Sequence, residues 1–231
     1  MSLVCVEAST DSIACGSAAV LDDLTVGSVI FWLNPSSVAN ATRVLIGKTT
    51  NTGSTGWFMA RPSSGGSVIR IVVNRATTDM LRSSSAGVLV VGTPSCIAAT
   101  WDVSADTCSI YHGTLAAALA DVGGTLTAGS GAYVSDAAES YVIGNAGAAS
   151  LSAGGAYSYA AVFNRVLTLA ELQSWQLHPR KMAGCVAFHE LGLTGVGSQW
   201  DYSGNGNTGT ITGATQSAHL PRRWLTRMAA A

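Results

Sequence analysis

Short runs of apolar or alternating residues recur along the whole chain, and Gly, Ser, Thr, Asn or Pro separates nearly all of them. This punctuation is typical of an all-β sandwich built from short strands. In one run, Ile69, Ile71 and Val73 alternate with Arg70 and Val72, which predicts a strand with the first three side chains on its inward face. The predicted strands span residues 3–7, 26–33, 43–48, 56–61, 67–74, 88–91, 96–103, 107–112, 141–144 and 157–164. Residues 104–107 are predicted to join two of them as a hairpin.

One segment has the period of a helix instead of a strand. Thr168 and Glu171 have the spacing of a capping box, in which each side chain bonds the backbone N–H of the other residue. Apolar side chains up to Trp175 follow at helical spacing before a proline ends the run. The sequence therefore predicts one short helix at Leu169–Leu177.

A dense turn signal lies after this helix, in residues 201–209. Aspartate, serine and asparagine bond their own backbone in tight turns, and glycine supplies the positive φ angles that such turns need. We therefore predict a rigid structural turn that leads into a strand. Its residues are Asp201, Ser203, Gly204, Asn205, Gly206 and Asn207.

The same turn has the first half of a calcium-binding loop. Oxygen atoms of Asp201, Ser203 and Asn205 could converge on a hard cation, because they stand at positions one, three and five. Position twelve is Thr212 instead of a bidentate glutamate. The self-bonded turn is the favoured interpretation, bound calcium is kept as the alternative, and no other cofactor is expected.

Six segments of the chain carry a family signature when they are taken together. They are the turn at 201–207, the strand-to-helix segment 161–172, and residues 29–35, 97–102, 109–113 and 141–145. They resemble the laminin-G-like, concanavalin A-like jelly-roll domain family, of the kind found in structural proteins of tailed bacteriophages. The resemblance implies an all-β, two-sheet antiparallel jelly-roll sandwich with one short helix near the C-terminal third.

The order of the segments departs from that of many relatives, in which the turn lies near the start of the domain. Strands can move from one end of such a chain to the other without changing the packed sheets, because jelly-roll termini lie close together. A permuted strand order is therefore expected. The predicted division is a single domain at residues 1–220, followed by a basic and apolar C-terminal arm at 221–231.

Charge and composition argue against several classes of partner. The formal net charge is −1 and only 11% of residues are charged, so the chain lacks the broad basic surface that nucleic acids attract. No window reaches the roughly 18 apolar residues of a membrane span, so no membrane insertion is expected. The N-terminus lacks a basic start followed by an apolar core, which predicts no secretory signal. The five cysteines include no CxxC pair, which predicts buried, reduced thiols.

Motifs for catalysis are incomplete. Glycosidases of this fold need paired carboxylates on one strand face, and none of the four glutamates lies in a Glu-x-Asp-x-Glu pattern. His189 and Glu190 begin like a zinc-protease motif, but Leu193 stands where the second histidine would be. Lys48 lies where a phosphate-binding loop has its lysine, but Thr42 replaces the first glycine, so a turn with a surface lysine is predicted. The protein is therefore expected not to be an enzyme.

Tryptophans and histidines have ordinary structural interpretations. Trp32, Trp57, Trp101 and Trp175 lie in strand or helix patterns and are predicted in the core, whereas Trp200 is expected to pack beneath the turn. The four histidines are dispersed, so surface or partly buried positions are expected for them.

The C-terminal arm combines positive charge with apolar anchors. Residue types of this kind are enriched at interface hot spots, which predicts a partner-docking segment, with a loose tail as the other interpretation. The docking residues would be Arg222, Arg223, Trp224, Leu225 and Arg227. The expected partners are other protein subunits, such as a major capsid protein or further copies of this chain.

Two functions stay open at this point. The resemblance implies a non-catalytic structural or adhesive protein, a phage virion component such as a capsid decoration, cement or fibre protein at the virion surface. The alternative is a carbohydrate-binding, lectin-like module, in which aromatic and polar side chains would contact glycans.

Overall fold

Two antiparallel β-sheets make up nearly all of the regular structure in the computed structural model, which describes residues 1–52, 55–85, 87–195 and 197–218. In chain order the strands are β1 (Ser2–Cys5), β2 (Ser12–Ala14), β3 (Val26–Pro35), β4 (Arg43–Lys48), β5 (Trp57–Arg61), β6 (Arg70–Val73), β7 (Met80–Ser84), β8 (Ser95–Asp102), β9 (Thr107–Thr114), β10 (Ala120–Asp121), β11 (Gly123–Thr127), β12 (Tyr141–Ile143), β13 (Gly155–Phe163), β14 (Cys185–Glu190), β15 (Thr210–Thr212) and β16 (Thr215–Ser217). A 3-10 turn covers Ala19–Leu21, and helix α1 covers Leu169–Leu177.

Each sheet contains eight of these strands. Sheet 1 has the order β10-β9-β8-β3-β13-β1-β16, and β14 also pairs with β13. Sheet 2 has the order β11-β7-β6-β5-β4-β12-β2-β15. Neighbouring strands in both sheets are antiparallel, and β8 and β9 form the predicted hairpin. The predicted two-sheet antiparallel jelly-roll sandwich is confirmed.

The main core lies between the sheets and is built from the inward side chains of both. Ile69, Ile71 and Val73 are fully buried in it, as their alternation predicts. Trp57 of sheet 2 and Trp101 of sheet 1 meet there with their ring centroids 4.9 Å apart. Because buried aromatic rings contribute a large apolar area, this pair ties the two layers together.

Helix α1 begins at the predicted capping box. Thr168 Oγ1 accepts a hydrogen bond from Glu171 N at 3.3 Å, and Glu171 Oε2 accepts one from Thr168 N at 2.8 Å. Leu172 and Trp175 pack on the outer face of sheet 1, in a second buried cluster that includes Trp32. The predicted helix is confirmed, and it covers part of sheet 1. No helix among the described residues has the length and hydropathy of a membrane span.

The outer face of sheet 2 differs, since no helix covers it in the part of the chain that the structure describes. A small apolar cluster of Val44, Phe58, Ala60, Val72 and Ala146 lies there instead. Both faces of β5 and β6 therefore carry apolar side chains, although only their inner face belongs to the main core.

The first and last strands of the chain are neighbours in both sheets. β1 pairs with β16 in sheet 1, and β2 pairs with β15 in sheet 2. A permuted strand order requires such adjacency, because strands moved between the ends must keep their packing. The single domain at 1–220 and the permuted order stay predictions.

The predicted strands differ from the observed ones where the local residue pattern does not match the strand pairing of the folded chain. β2, β7, β10, β11, β14 and β16 lie outside the predicted runs. Apart from β14, they are short or rich in polar residues and depend on neighbouring strands for their ladder hydrogen bonds. Residues 88–91 do not form a strand, and within this run only Leu89 is buried in the core.

The capping box makes a pH-dependent contribution to stability that can be measured. A hydrogen bond from the Arg165 guanidinium, followed by one from Thr168 N, lowers the pKa of Glu171 to about 2. The contribution is therefore complete above the unfolded pKa of about 4.3 and is lost as the pH falls toward 2. Glu171→Gln is expected to lower the unfolding free energy by about 1 kcal/mol at pH 7, with the difference from wild type shrinking in acid. Chemical denaturation at pH 7, 4 and 2.5 measures this.

The matched control is Glu139→Gln, because Glu139 forms no ion pair within the described part of the chain. This control should leave the pH profile of stability close to that of wild type. If the unfolding free energy of Glu171→Gln stays below that of wild type by the same amount down to pH 2.5, the ionised Glu171 carboxylate does not have the stabilising role assigned to it.

Candidate functional site

A groove of about 200 Å³ opens on the outer face of sheet 2, over β5 and β6 and beside the start of β4. Its lining combines an apolar floor, a hydroxyl-bearing rim and a single charged side chain. The lining residues are Thr42, Thr52, Phe58, Ala60, Pro62, Ser63, Ser64, Arg70 and Val72.

The floor of the groove follows from strand alternation. β5 directs Trp57 and Met59 into the main core, so Phe58 and Ala60 face outward. Val72 of β6 lies directly opposite Phe58 in the strand pairing. Only 4% of the Phe58 surface and 5% of the Val72 surface remain exposed, so the floor is apolar and closely packed.

The rim of the groove carries hydroxyl groups. Thr42 precedes β4, and Ser63 and Ser64 stand exposed at the tip of a turn that follows β5. This turn is closed by a hydrogen bond of 3.3 Å from Gly65 N to Pro62 O. Each hydroxyl can both donate and accept a hydrogen bond, so the rim suits a ligand with several hydroxyl groups of its own.

Arg70 is the charged residue of the groove, and its position is set by its cross-strand partner. Arg70 and Ser83 are directly opposite each other in β6 and β7. Arg70 Nε donates a hydrogen bond of 2.8 Å to Ser83 Oγ. Within the described residues, the two terminal nitrogens of this guanidinium make neither a hydrogen bond nor an ion pair.

Most other arginines of the described chain are ion-paired. The pairs are Arg43 and Arg61 with Glu7, Arg75 with Asp106, Arg82 with Asp121, and Arg165 with Glu171. Among the described residues, no acidic, histidine or cysteine side chain lines the groove. The lining therefore provides hydrogen bonding, apolar contact and one positive charge, and it contains no carboxylate pair for acid–base chemistry.

The turn predicted at 201–207 packs against the start of β14. Both carboxylate oxygens of Asp201 accept hydrogen bonds, Oδ1 from Phe188 N and Ser203 N, and Oδ2 from Ser203 Oγ, Asn207 N and Asn207 Nδ2. These five bonds are 2.7–3.1 Å long. Burial alone would raise the pKa of Asp201, but hydrogen bonds led by that from Phe188 N outweigh burial and lower the pKa.

The remaining turn residues lie in the same small unit. Asn205 Nδ2 and Asn207 Nδ2 donate to the carbonyl oxygen of Val186 at 3.0 and 2.8 Å, and Ser203 Oγ lies 3.0 Å from the same oxygen. Gly204 and Gly206 have φ angles of 86° and 79°, in the region that favours glycine. The structure thus brings all six predicted residues together, and their purely structural role stays a prediction.

Trp200 lies on the surface and not beneath the turn, so that expectation was wrong. Its exposed fraction is 62%, and that of Tyr202 is 39%. The backbone of Asp201 forms an isolated antiparallel β-bridge with that of His189, and the Asp201 carboxylate is directed into the turn. The side chains on either side of Asp201 point outward because neighbouring residues of an extended segment alternate.

Two buried polar residues also differ from expectation. Lys48 is not a surface lysine on a turn, because it ends β4 with its side chain fully buried and contacts Asp22 Oδ1 at 2.8 Å and Asp136 Oδ1 at 3.2 Å. His189 is also fully buried, inside β14, and burial lowers its pKa. Neither position could be read locally, since the partners and covering residues lie far away in the chain.

The other core predictions agree with the structure. Trp32, Trp57, Trp101 and Trp175 are each at most 3% exposed. All five cysteines are free and buried, and burial raises the pKa of the Cys5 thiol to about 12. The predicted docking arm at 221–231, with Arg222, Arg223, Trp224, Leu225 and Arg227, lies outside the described residues.

The groove residues were not singled out by sequence reasoning. One signal was available, since the run at 57–60 is apolar at consecutive positions on both strand faces. Such a run predicts burial on both faces. Only the tertiary structure shows that no helix covers the outer face of these described strands.

Comparison with known proteins gives a family match and several similar folds. Residues 7–173 match the model of the concanavalin A-like lectin/glucanases superfamily. No curated protein matches the chain. A crystal structure from Bacteroides ovatus, of a protein with a proposed carbohydrate-binding role, is 13% identical with a TM-score of 0.62. The alignment covers 94% of this chain and 61% of that one, so this chain spans about three fifths of its length.

Two further solved structures are similar to this chain. The enzymatically active domain of tailspike protein 2 from bacteriophage CBA120 is 11% identical with a TM-score of 0.52, covering 72% of this chain and 26% of that one. The CBM40 of Ruminococcus gnavus IT-sialidase, bound to α2,3-sialyllactose, is 11% identical with a TM-score of 0.49. The alignment covers 73% of this chain and 94% of that one.

Proposed function

The chain belongs to the concanavalin A-like lectin/glucanases superfamily, and we propose on this basis that it is a non-catalytic, carbohydrate-binding module that holds a sugar in the groove on sheet 2. The observation that carries this proposal is the composition of the groove. An apolar floor at Phe58 and Val72 lies under a rim of hydroxyl groups, on a sheet face that no described helix covers.

A sugar ring matches these two kinds of surface. Its C–H faces are apolar and suit the floor, whereas its hydroxyl groups can exchange hydrogen bonds with Thr42, Ser63 and Ser64 on the rim. The volume of about 200 Å³ lies below the range of about 300–1,000 Å³ for ordinary small-molecule sites. The groove therefore suits one sugar residue of a larger glycan.

The surroundings of the glutamates support the non-catalytic part of the proposal. Glu7 is ion-paired with Arg43 and Arg61, and Glu171 is ion-paired with Arg165 at the start of α1. Glu190 accepts a hydrogen bond from the hydroxyl group of a neighbouring tyrosine. None of these carboxylates lines the groove, where a glycosidase would need two of them beside the scissile bond.

Membership of a phage particle stays a separate prediction. The similarity to the bacteriophage tailspike domain is a similarity of fold. A virion component could carry a carbohydrate-binding groove, so the virion hypothesis and the groove proposal are compatible. The decisive measurement for the virion hypothesis is whether the full chain associates with assembled particles.

The proposal that the groove binds a sugar can be tested by filling the groove with a large side chain. Ser64 is exposed on the rim, so Ser64→Trp should place an indole over the floor without disturbing the core. We expect wild type to bind a subset of glycans on an array, and the variant to lose at least about tenfold in affinity for the best of them by calorimetry. The same glycans should release no reducing sugar during incubation with wild type.

The matched control is Ser130→Trp. Ser130 is also an exposed loop serine, but it pairs with Thr78 away from the residues that line the groove. This control should bind glycans as wild type does, and both variants should keep the wild-type melting temperature. Failure of wild type to bind any glycan would overturn the proposed function. If the Ser64→Trp variant binds glycans with unchanged affinity, the binding site lies elsewhere than in the groove.

A further inference from the structure

The free guanidinium at one side of the groove points to a narrower class of ligand. We infer that Arg70 makes the groove selective for sugars that carry a carboxylate, such as uronic or sialic acids. The inference rests on the proposed function, because it assigns the charge of the sugar that the groove would hold.

The guanidinium of Arg70 is held in one orientation, and within the described chain its terminal nitrogens are free. The hydrogen bond of 2.8 Å from Arg70 Nε to Ser83 Oγ uses one edge of the guanidinium and restrains its plane. The terminal nitrogens have no acceptor among the described residues. A planar fork of this kind matches the two oxygens of a carboxylate, and its restrained orientation lowers the entropy lost on binding.

Among the described residues, no acidic side chain of the groove competes for Arg70. The nearest cross-strand neighbours of Arg70 are Ala60 in β5 and Ser83 in β7, both uncharged. The groove lining contains no aspartate or glutamate. Five other described arginines instead contact a carboxylate within 3.4 Å. Arg70 is thus a positive charge that the described chain does not neutralise.

The charge of Arg70 lies beside an apolar surface. The floor beside Arg70 is formed by Phe58, Ala60 and Val72, all nearly inaccessible to solvent. Apolar surroundings lower the effective dielectric constant, so an ion pair formed against this floor is stronger than one on an open surface. The hydroxyl groups on the rim can hold the neutral part of the same sugar.

The test compares each bound acidic glycan with its carboxyl-reduced form, which keeps the ring and replaces the carboxylate by an alcohol. Array and calorimetric measurements would use glycans that end in glucuronate, galacturonate or N-acetylneuraminate. We expect wild type to prefer the acidic form at least about tenfold and to lose most of this preference in 0.5 M salt, because salt screens the ion pair. Arg70→Gln should bind the acidic and the reduced forms equally.

Two further variants make the result specific. Arg70→Lys keeps the charge but loses the fork, so it should retain only part of the preference. Arg180→Gln is the matched control, because Arg180 is exposed and, within the described chain, bonds two oxygens near the end of α1 and forms no ion pair. It should behave as wild type, and all variants should melt as wild type does.

The outcomes separate the two levels of proposal. Equal binding of acidic and reduced glycans by wild type would overturn the selectivity and leave the carbohydrate-binding function in place. A preference that survives in Arg70→Gln would overturn the assignment to Arg70. Binding of no glycan by wild type would overturn the proposed function and the selectivity with it.

Discussion

Replacing Lys48 by methionine is expected to lower the unfolding free energy by about 3–5 kcal/mol, as for other buried ion pairs that lose one partner. Lys48 Nζ contacts Asp22 Oδ1 at 2.8 Å and Asp136 Oδ1 at 3.2 Å, and it also donates to the carbonyl oxygen of Asp136. The side chains of Lys48 and Asp136 are both fully buried. Methionine would leave the Asp136 carboxylate without its cation, in a site that water cannot reach.

The remaining contacts of Asp136 cannot replace the lysine. Asp23 N donates to Asp136 Oδ1 at 2.8 Å, and the Tyr133 hydroxyl donates to Oδ2 at 2.6 Å. These donors hold the carboxylate in place but carry no charge. Since a domain is typically stable by only about 5–15 kcal/mol, Lys48→Met should shift the urea midpoint far below that of wild type.

Two controls show whether the buried charge causes the loss. Lys181→Met changes the only other lysine of the chain, which is exposed and donates one hydrogen bond, to the carbonyl oxygen of Ser203. Its replacement should alter stability by no more than about 1 kcal/mol. In the double variant Lys48→Met and Asp136→Asn the orphaned charge is gone, so part of the lost stability should return. A Lys48→Met variant as stable as wild type would show that the cluster contributes little.

Replacing Asp201 by alanine is expected to lower the unfolding free energy by about 3 kcal/mol or more. The carboxylate accepts five hydrogen bonds, and bonds to a charged group contribute about 1.5–3 kcal/mol each, although bonds that share one acceptor do not add fully. For a chain of this size, 3 kcal/mol corresponds to a melting temperature about 6–12 °C lower. Differential scanning calorimetry measures the shift.

The pH dependence of this effect has a definite sign. The folded pKa of Asp201 is lowered, so its stabilisation is present above the unfolded pKa of about 3.9 and is lost as the pH falls through the folded value. The difference in unfolding free energy between wild type and Asp201→Ala should therefore become smaller in acid. A constant gap down to pH 2 would argue against a role for the ionised carboxylate.

Asp102→Ala provides the matched control. Asp102 also bonds its own turn, through Ser104 N, Ser104 Oγ and Ala105 N, but this hairpin lies at the surface and contains none of the glycines and asparagines of the 201–207 turn. Its replacement should cost clearly less than that of Asp201. The comparison separates an ordinary surface turn from one that anchors the start of β14.

Calcium distinguishes the two interpretations of the 201–207 turn. If the turn is structural, the melting temperature of wild type and the loss caused by Asp201→Ala should be the same in calcium and in chelator. A wild-type melting temperature that rises steeply with calcium would favour the metal interpretation, because a ligand of the folded state stabilises it in proportion to its occupancy.

Features with a local chemical cause could be predicted from the sequence alone. Thr168 and Glu171 are three residues apart, and this spacing alone predicts a helix start that the structure confirms. The alternation of Ile69, Ile71 and Val73 also has a local cause, since successive side chains in a strand point to opposite sides. It predicts the inward strand face that the structure shows. Family motifs along the chain predicted the two-sheet sandwich as well.

Features that depend on distant residues were decided only by the tertiary structure. Lys48 became a buried ion-pair partner because Asp22 and Asp136, 26 and 88 residues away, close over it. Phe58 and Arg70 became parts of a groove because sheet 1 has a helix on its outer face and the described part of sheet 2 does not. A sequence states which side chains share a strand face, whereas exposure depends on which other segments pack against that face, and the local pattern contains no information about that packing.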